Sequence, residues 1–301
     1  MHPLPMSKPP RSLSPNTAQA LKTAGLVRHL GSVAEGIGVR FVVLKGAALH
    51  ALRLVKADAR PMCDLDVLLS PEDAARLSDT LVSHGWEARG GPCGEDHLPI
   101  LKHSFWPALE LHDQLSGVSL DGKSWVGFAD LVNGGGVEAF PAAGPAVFVP
   151  TREFLAAHAI AHGFFHHESD AIGYQRHRVF DDLAALGVLE GTDDEFLAGP
   201  GRWMKRGLAR EEILTILRLG RRLARGENVA ADLPPHPGVP IARARHQERR
   251  GSPLSQGAEA PQVPAPRRHR PQPAQDVRCE LLAHNLPESA AGRRHLRPSE
   301  T

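Results

Sequence analysis

Apolar residues recur at helical spacing between residues 17 and 37, at Leu21, Ala24, Leu26, Leu30, Val33, Ala34 and Ile37. That period predicts an amphipathic helix, which Gly36 and Gly38 bring to an end. Residues 40–44 are then a short, almost unbroken apolar run, which reads as a buried strand. Gly46 turns the chain into a second helix over residues 47–54. The next apolar run, residues 62–69, is broken by two acids two residues apart, Asp64 and Asp66. Strand side chains alternate faces, so both acids point one way while Leu65 and Val67 point the other way, into the core. Ser70-Pro71-Glu72-Asp73 opens a helix: Ser70 caps it, Pro71 takes the first helical position and Asp73 closes a capping box. Ala74, Leu77, Leu81 and Val82 form its inner face, and Gly85 stops it. Residues 86–88 read as a short strand, 97–102 and 107–112 as a hairpin, and 137–140 with 146–149 as another. Residues 113–136 have little regular pattern, apart from a short helix suggested over 125–132. From Thr151, itself a cap, helical spacing returns and continues through residues 174–189, 195–205 and 209–224. The pattern predicts an α/β (α+β) fold, with a small mixed-sheet core over residues 16–150 and an appended helical domain over 151–226.

Composition changes the picture at the two ends. Beyond residue 226, Pro, Arg, Gln, Gly and Ala dominate, apolar periodicity stops and aromatic residues are absent. Such a segment cannot bury enough surface to offset its ordering entropy, so residues 227–301 are expected to be a disordered tail. A stretch translated out of frame from a GC-rich gene would read the same way. Residues 1–15 are Pro-rich and lack the apolar segment of a signal peptide, which predicts a disordered leader. No run of 18 apolar residues occurs, so no membrane span is expected. With a net charge of +1, bulk electrostatics gives no sign of a polyanion partner. Cys63, Cys93 and Cys279 form no CxxC pair, which points away from a disulfide framework and towards a reducing cytoplasm. Cys63, beside Asp64 on the opposite strand face, is expected to be inert.

Candidate chemistry concentrates between residues 41 and 69. Asp64 and Asp66 would stand about 7 Å apart along one strand face and repel unless they share a cation. Hard oxygen ligands of this kind suit Mg²⁺. Gly46 lets the backbone approach a ligand, and the amides that open the next helix favour phosphate, although a plain strand–helix turn needs Gly for the same steric reason. Lys45 reads as a triphosphate contact or as a solvated strand-end lysine. Arg60 offers a fork for phosphate oxygens, or an ion pair with Asp64 or Asp58. Glu110 and His112 share one strand face. Glu110 completes a three-carboxylate cluster if its strand lies beside Asp64 and Asp66, and is otherwise an edge acid in water. His158, His162 and His166 recur every four residues along one helix face. A His-x-x-x-His pair can bind zinc, but without the Glu of His-Glu-x-x-His a zinc protease is a poor reading. Histidines packed against the strands or meeting solvent are the plainer one. Asp181 and Asp182 are adjacent and point about 100° apart around a helix, a poor dyad. Pairing with Arg176 or Arg178 is their plain reading.

Leu44-Lys45-Gly46-Ala47-Ala48, Arg60 and Asp64-Leu65-Asp66 before an apolar run together resemble the uncharacterised nucleotidyltransferase family, part of the DNA polymerase beta-like nucleotidyltransferase superfamily. The superfamily pattern is a Gly turn after a first strand, Asp-x-Asp on the second, and a third acid on a later strand. Glu110, in Ala108-Leu109-Glu110-Leu111-His112, matches that third acid. The resemblance covers roughly residues 20–190. It implies a nucleotidyltransferase core that moves a nucleoside monophosphate from a nucleoside triphosphate such as ATP to a hydroxyl acceptor, releasing pyrophosphate. It implies Asp64, Asp66 and Glu110 as the catalytic set and as ligands of two Mg²⁺ ions, with Lys45, Gly46, Ala47 and Arg60 holding phosphates. A small molecule, a protein hydroxyl and an RNA end all fit as the acceptor. Removing Asp64 or Asp66 is expected to abolish activity with little loss of fold. Two other classes stay open: a regulatory, antitoxin-type binding module of the same fold without turnover, and a metal-binding helical protein using His158 and His162.

Overall fold

Ser14 accepts a hydrogen bond from the backbone N–H of Thr17 at 3.1 Å and starts helix α1 (Pro15–Gly36). The computed structural model containing it describes residues 13–89, 98–121, 123, 125–166, 173–204 and 210–229. The chain continues through β1 (Phe41–Val43), α2 (Lys45–Ala51), β2 (Asp64–Leu68), α3 (Pro71–Ser83), β3 (Glu87–Arg89), β4 (Ile100–Lys102) and β5 (Ala108–His112). Then come β6 (Gln114–Ser116), β7 (Trp125–Gly127), α4 (Phe128–Asn133), β8 (Val137–Ala139) and β9 (Val147–Pro150). Helices complete the described part: α5 (Arg152–Ile160), a π-helical turn (Ala161–His166), α6 (Gly173–Ala185), α7 (Asp193–Ala198), a 3-10 turn (Pro200–Trp203) and α8 (Arg210–Ala224).

Seven strands form one mixed sheet in the order β3-β4-β5-β2-β1-β9-β8. β2 and β5 are parallel neighbours, β1 is antiparallel to β2, and β9 is parallel to β1. The runs read as apolar strands are the inner ones: Phe41, Val42, Val43, Leu65, Val67, Leu109 and Leu111 are all buried. Burial on both faces explains why β1 shows no alternation. Helix α1 packs closely against the turn before β9, where a methyl group on Gly31 would meet Ala143 O at 2.0 Å.

The two hairpins read from the pattern are present as β4–β5 and β8–β9. Three local readings are corrected. Residues 125–132 are not one helix: β7 pairs with β6 in a separate two-stranded sheet, and α4 starts only at Phe128. Ser70 caps α3 as expected, but Asp73 turns its carboxylate to Arg76 instead of closing the box. Residues 195–205 do not continue as one helix, because Gly199 and Pro200 break it into α7 and the 3-10 turn.

Nearly all of the expected leader and tail lie outside the described residues. Of the parts inside, Pro15 already opens α1, and Val229 is buried. Cys63 is exposed and free, while Cys93 and Cys279 lie outside the described residues. Among the described residues no helix is long and apolar enough to cross a membrane.

Candidate active site

The parallel ladder between β2 and β5 runs through five register pairs, among them Asp64↔Ala108, Asp66↔Glu110 and Leu68↔His112. Partners on adjacent strands project to the same face, so Asp66 and Glu110 stand side by side about one strand spacing, ~4.8 Å, apart. Asp64 lies two residues earlier on that face, and His112 two residues beyond Glu110. Asp66 is 4 % exposed. Its Oδ1 receives the Lys45 ammonium at 2.6 Å and the His112 Nε2–H at 2.9 Å. The same His112 nitrogen lies 3.9 Å from Glu110 Oε2. One ligand atom from each of Asp66, Glu110 and His112 falls within 4.8 Å of the others. A cation about 2 Å from each donor fits that spacing with small side-chain shifts. Asp64 is not in this group but lines the adjoining cleft.

The charges are unevenly matched. Burial works against the ionised Asp66, but Lys45 and His112 outweigh it and hold the carboxyl well below the usual carboxylate range. Burial likewise works against a charged Lys45, and Asp66, Glu110 and Asp64 reverse that and raise its pKa. Asp64 and Glu110 go the other way: burial first, and then the Asp66 charge, push both upwards. The site therefore holds one satisfied carboxylate and two whose charge is resisted, the arrangement that a divalent cation relieves. Asp66 also anchors Lys45 and His112, so its removal takes a charged partner from two buried or half-buried side chains.

At the start of α2, the left-handed backbone belongs to Lys45 and not to Gly46. Lys45 has φ +50°, uncommon for a residue with a side chain. Gly46 is tightly packed: a methyl group there would lie 3.2 Å from Met62 Cγ and 3.3 Å from the Arg60 guanidinium, so those side chains would have to give by a few tenths of an ångström. Lys45 is thus neither a solvated strand-end lysine nor turned away from the acids. Arg60 pairs with neither Asp64 nor Asp58; it makes a two-pronged ion pair with Asp182, at 2.6 and 2.7 Å. The plain reading of Asp182 as a partner of Arg176 or Arg178 is corrected in the same way; Arg178 instead donates to Pro61 O at 2.6 Å.

These residues border a cavity of about 180 Å³. Lys45, Gly46, Ala47, Arg60, Asp64 and Asp66 line one side, and His158, His162, Gly163, Arg178, Val179 and Asp182 the other. Glu110, beside Asp66 on the next strand, is outside the lining. The rings of His158 and His162 lie 5.8 Å apart, and His158 stacks on Phe154. The helical register changes at Ala161, so the every-four-residues face does not continue unbroken, and the His166 side chain lies outside the described residues.

The sequence reading left two partners unidentified. His112 was on the right face, but nothing local tied it to Asp66. Asp182 carried a signal: it falls three residues after Val179 and four before Leu186, on the apolar stripe of α6, where an acid needs a buried partner.

A family model described as uncharacterised nucleotidyltransferase matches residues 11–186. The match covers more than half of the chain, and the protein belongs to that family. It takes in the sheet and every residue that lines the cleft, and ends before α7. No curated protein matches the chain.

Proposed function

We propose that the protein transfers a nucleoside monophosphate from a nucleoside triphosphate to a hydroxyl acceptor and releases pyrophosphate. The observation that carries this reading is the Asp66↔Glu110 pairing beside the Lys45–Gly46 turn, at the edge of a cavity that Asp64 also lines. Asp64, Asp66 and Glu110 would hold Mg²⁺, two ions in all, and His112 lies close enough to join them. The bound cations would supply charge neutralisation on the triphosphate and a lowered pKa at the acceptor hydroxyl. The donor chemistry fits: three carboxylates are hard oxygen ligands, and two of them resist ionisation in the absence of a cation.

The chain's own residues would do the rest. Lys45, Gly46, Ala47 and Arg60 would hold phosphate oxygens at the mouth of α2. Asp66, kept ionised by Lys45 and His112, would stay available as a ligand at neutral pH. Glu110, with its raised pKa, would hold a cation or take the acceptor's proton. Such chemistry relies mainly on positioning and charge. In this reading residues 16–150 form the catalytic part and residues 151–226 the second wall of the cleft. The cysteine pattern supports a reducing, cytoplasmic setting.

The experiment is a screen of α-labelled nucleoside triphosphates with Mg²⁺, read as label transfer to small molecules, RNA ends or the protein itself, together with pyrophosphate release. Asp64→Ala should abolish both signals. Unchanged turnover in Asp64→Ala would sink the assignment.

A further inference from the structure

We propose that Asp182 on α6 is a positioning residue that fixes Arg60 for a triphosphate, a role that rests on the nucleotidyltransferase reading above. Arg60 donates from Nε to Asp182 Oδ1 at 2.6 Å and from Nη2 to Oδ2 at 2.7 Å. Two parallel bonds fix both the plane and the direction of the guanidinium, where a single bond would let it swing. The side chains are 14 % and 11 % exposed, so solvent does little to loosen the pair. The guanidinium packs against the turn: a methyl group on Gly46 would lie 3.3 Å from both Cζ and the remaining nitrogen, Nη1. The guanidinium that Asp182 fixes therefore lies against the turn proposed to hold phosphate, and Arg60, Asp182, Lys45, Gly46 and Ala47 all line one cavity.

The same helix grips the backbone next door. Arg178 donates to Pro61 O at 2.6 Å, and the His50 ring meets Arg60 O at 3.3 Å. Side chain and main chain of the 60–61 segment are held together from α6 and α2. Plain tethering of α6 to the segment before β2 accounts for an ion pair, but not for its place in the cavity wall beside Lys45, Gly46 and Asp64. Asp182 also stands outside the Asp66–Glu110–His112 group, so a cation held there does not compete for it.

The test is calorimetric binding of inorganic tripolyphosphate, which carries the phosphate chemistry without a base, to the full chain in excess MgCl₂. Wild type, R60A, D182N, D182E and the R60A/D182N double variant are compared, each with its melting temperature. D182N and D182E should each weaken binding about tenfold or more. The double variant should bind no more weakly than R60A alone, because Asp182 acts only through Arg60. D182E keeps the charge, which protects the fold where D182N does not, yet shifts the fork by a methylene. Wild-type affinity in folded D182N or D182E, or losses that add in the double variant, would overturn the proposal and leave the nucleotidyltransferase reading standing. No binding by the wild type, with R60A indistinguishable from it, would overturn both.

Discussion

The two walls of the cleft are built by different rules. On the sheet side, Asp66 and Glu110 meet because a backbone ladder puts them in register over five consecutive pairs. A slip of one residue would turn every side chain of β2 to the wrong face, so the arrangement is all or none. On the helical side the described residues form no such ladder. Helix α5 passes into a π-helical turn at Ala161, and α6 is held to the 60–61 segment by the Asp182 and Arg178 side chains. The proposed cation site is therefore located by main chain, and the wall facing it by side chains. Single substitutions should damage the two in different ways.

The largest effect belongs to the sheet wall. Asp66→Ala should cost about 1,000-fold or more in turnover. It should also cost about 3–5 kcal/mol of stability, because Lys45 and His112 lose the charge they are packed around. Asp64→Asn should lose turnover comparably while changing stability by less than about 1 kcal/mol in either direction. Pyrophosphate release and urea denaturation measure the two quantities. Equal stability losses in both variants would erase the distinction between the two acids.

The helical wall should fail by packing. A methyl group on Gly163 would sit 2.1 Å from Val179 Cγ2, so Gly163→Ala should push the π-helical turn away from α6. The expected cost is about 1–3 kcal/mol, with divalent-cation binding retained. Loss of cation binding in folded Gly163→Ala would mean that the walls are not independent.

Smaller but sharper is the pH dependence. Asp66, with its folded pKa lowered from 3.8, contributes stability that is present above that value and lost as pH falls towards the folded one. Asp64 and Glu110, raised from 3.8 and 4.5, do the opposite. Their contribution is complete below those values and lost as pH rises through the raised ones. Above that window the cation-free protein carries their repulsion. Excess MgCl₂ should therefore raise the melting temperature by a few degrees at about pH 7.5 and less at about pH 5. Glu110→Gln should raise the cation-free melting temperature at neutral pH and shrink the Mg²⁺ gain. A gain that is the same at both pH values would contradict this balance.

Much of the sheet wall was legible in the sequence. Two-residue alternation in Asp64-Leu65-Asp66-Val67 fixes which side chains share a face, and the Glu110–His112 spacing fixes a second strand in the same way. That those strands are neighbours is a long-range fact, supplied only by the family resemblance. The helical wall was less legible. The Arg60–Asp182 pair spans 122 residues, and no local period links its members. Nothing in the sequence marks Lys45 for left-handed backbone, because the adjacent Gly46 is the residue type that usually takes it. The break at Ala161 leaves no mark in the sequence, because apolar spacing and histidine spacing both continue through it.

The most direct test of the central claim is Mn²⁺ binding followed by electron paramagnetic resonance, with Mn²⁺ standing in for Mg²⁺. Wild type and folded Gly163→Ala should both bind the ion, and Glu110→Gln and Asp66→Asn should lose at least about tenfold in affinity. Wild-type affinity in Glu110→Gln and Asp66→Asn would show that the paired strands do not form the cation site.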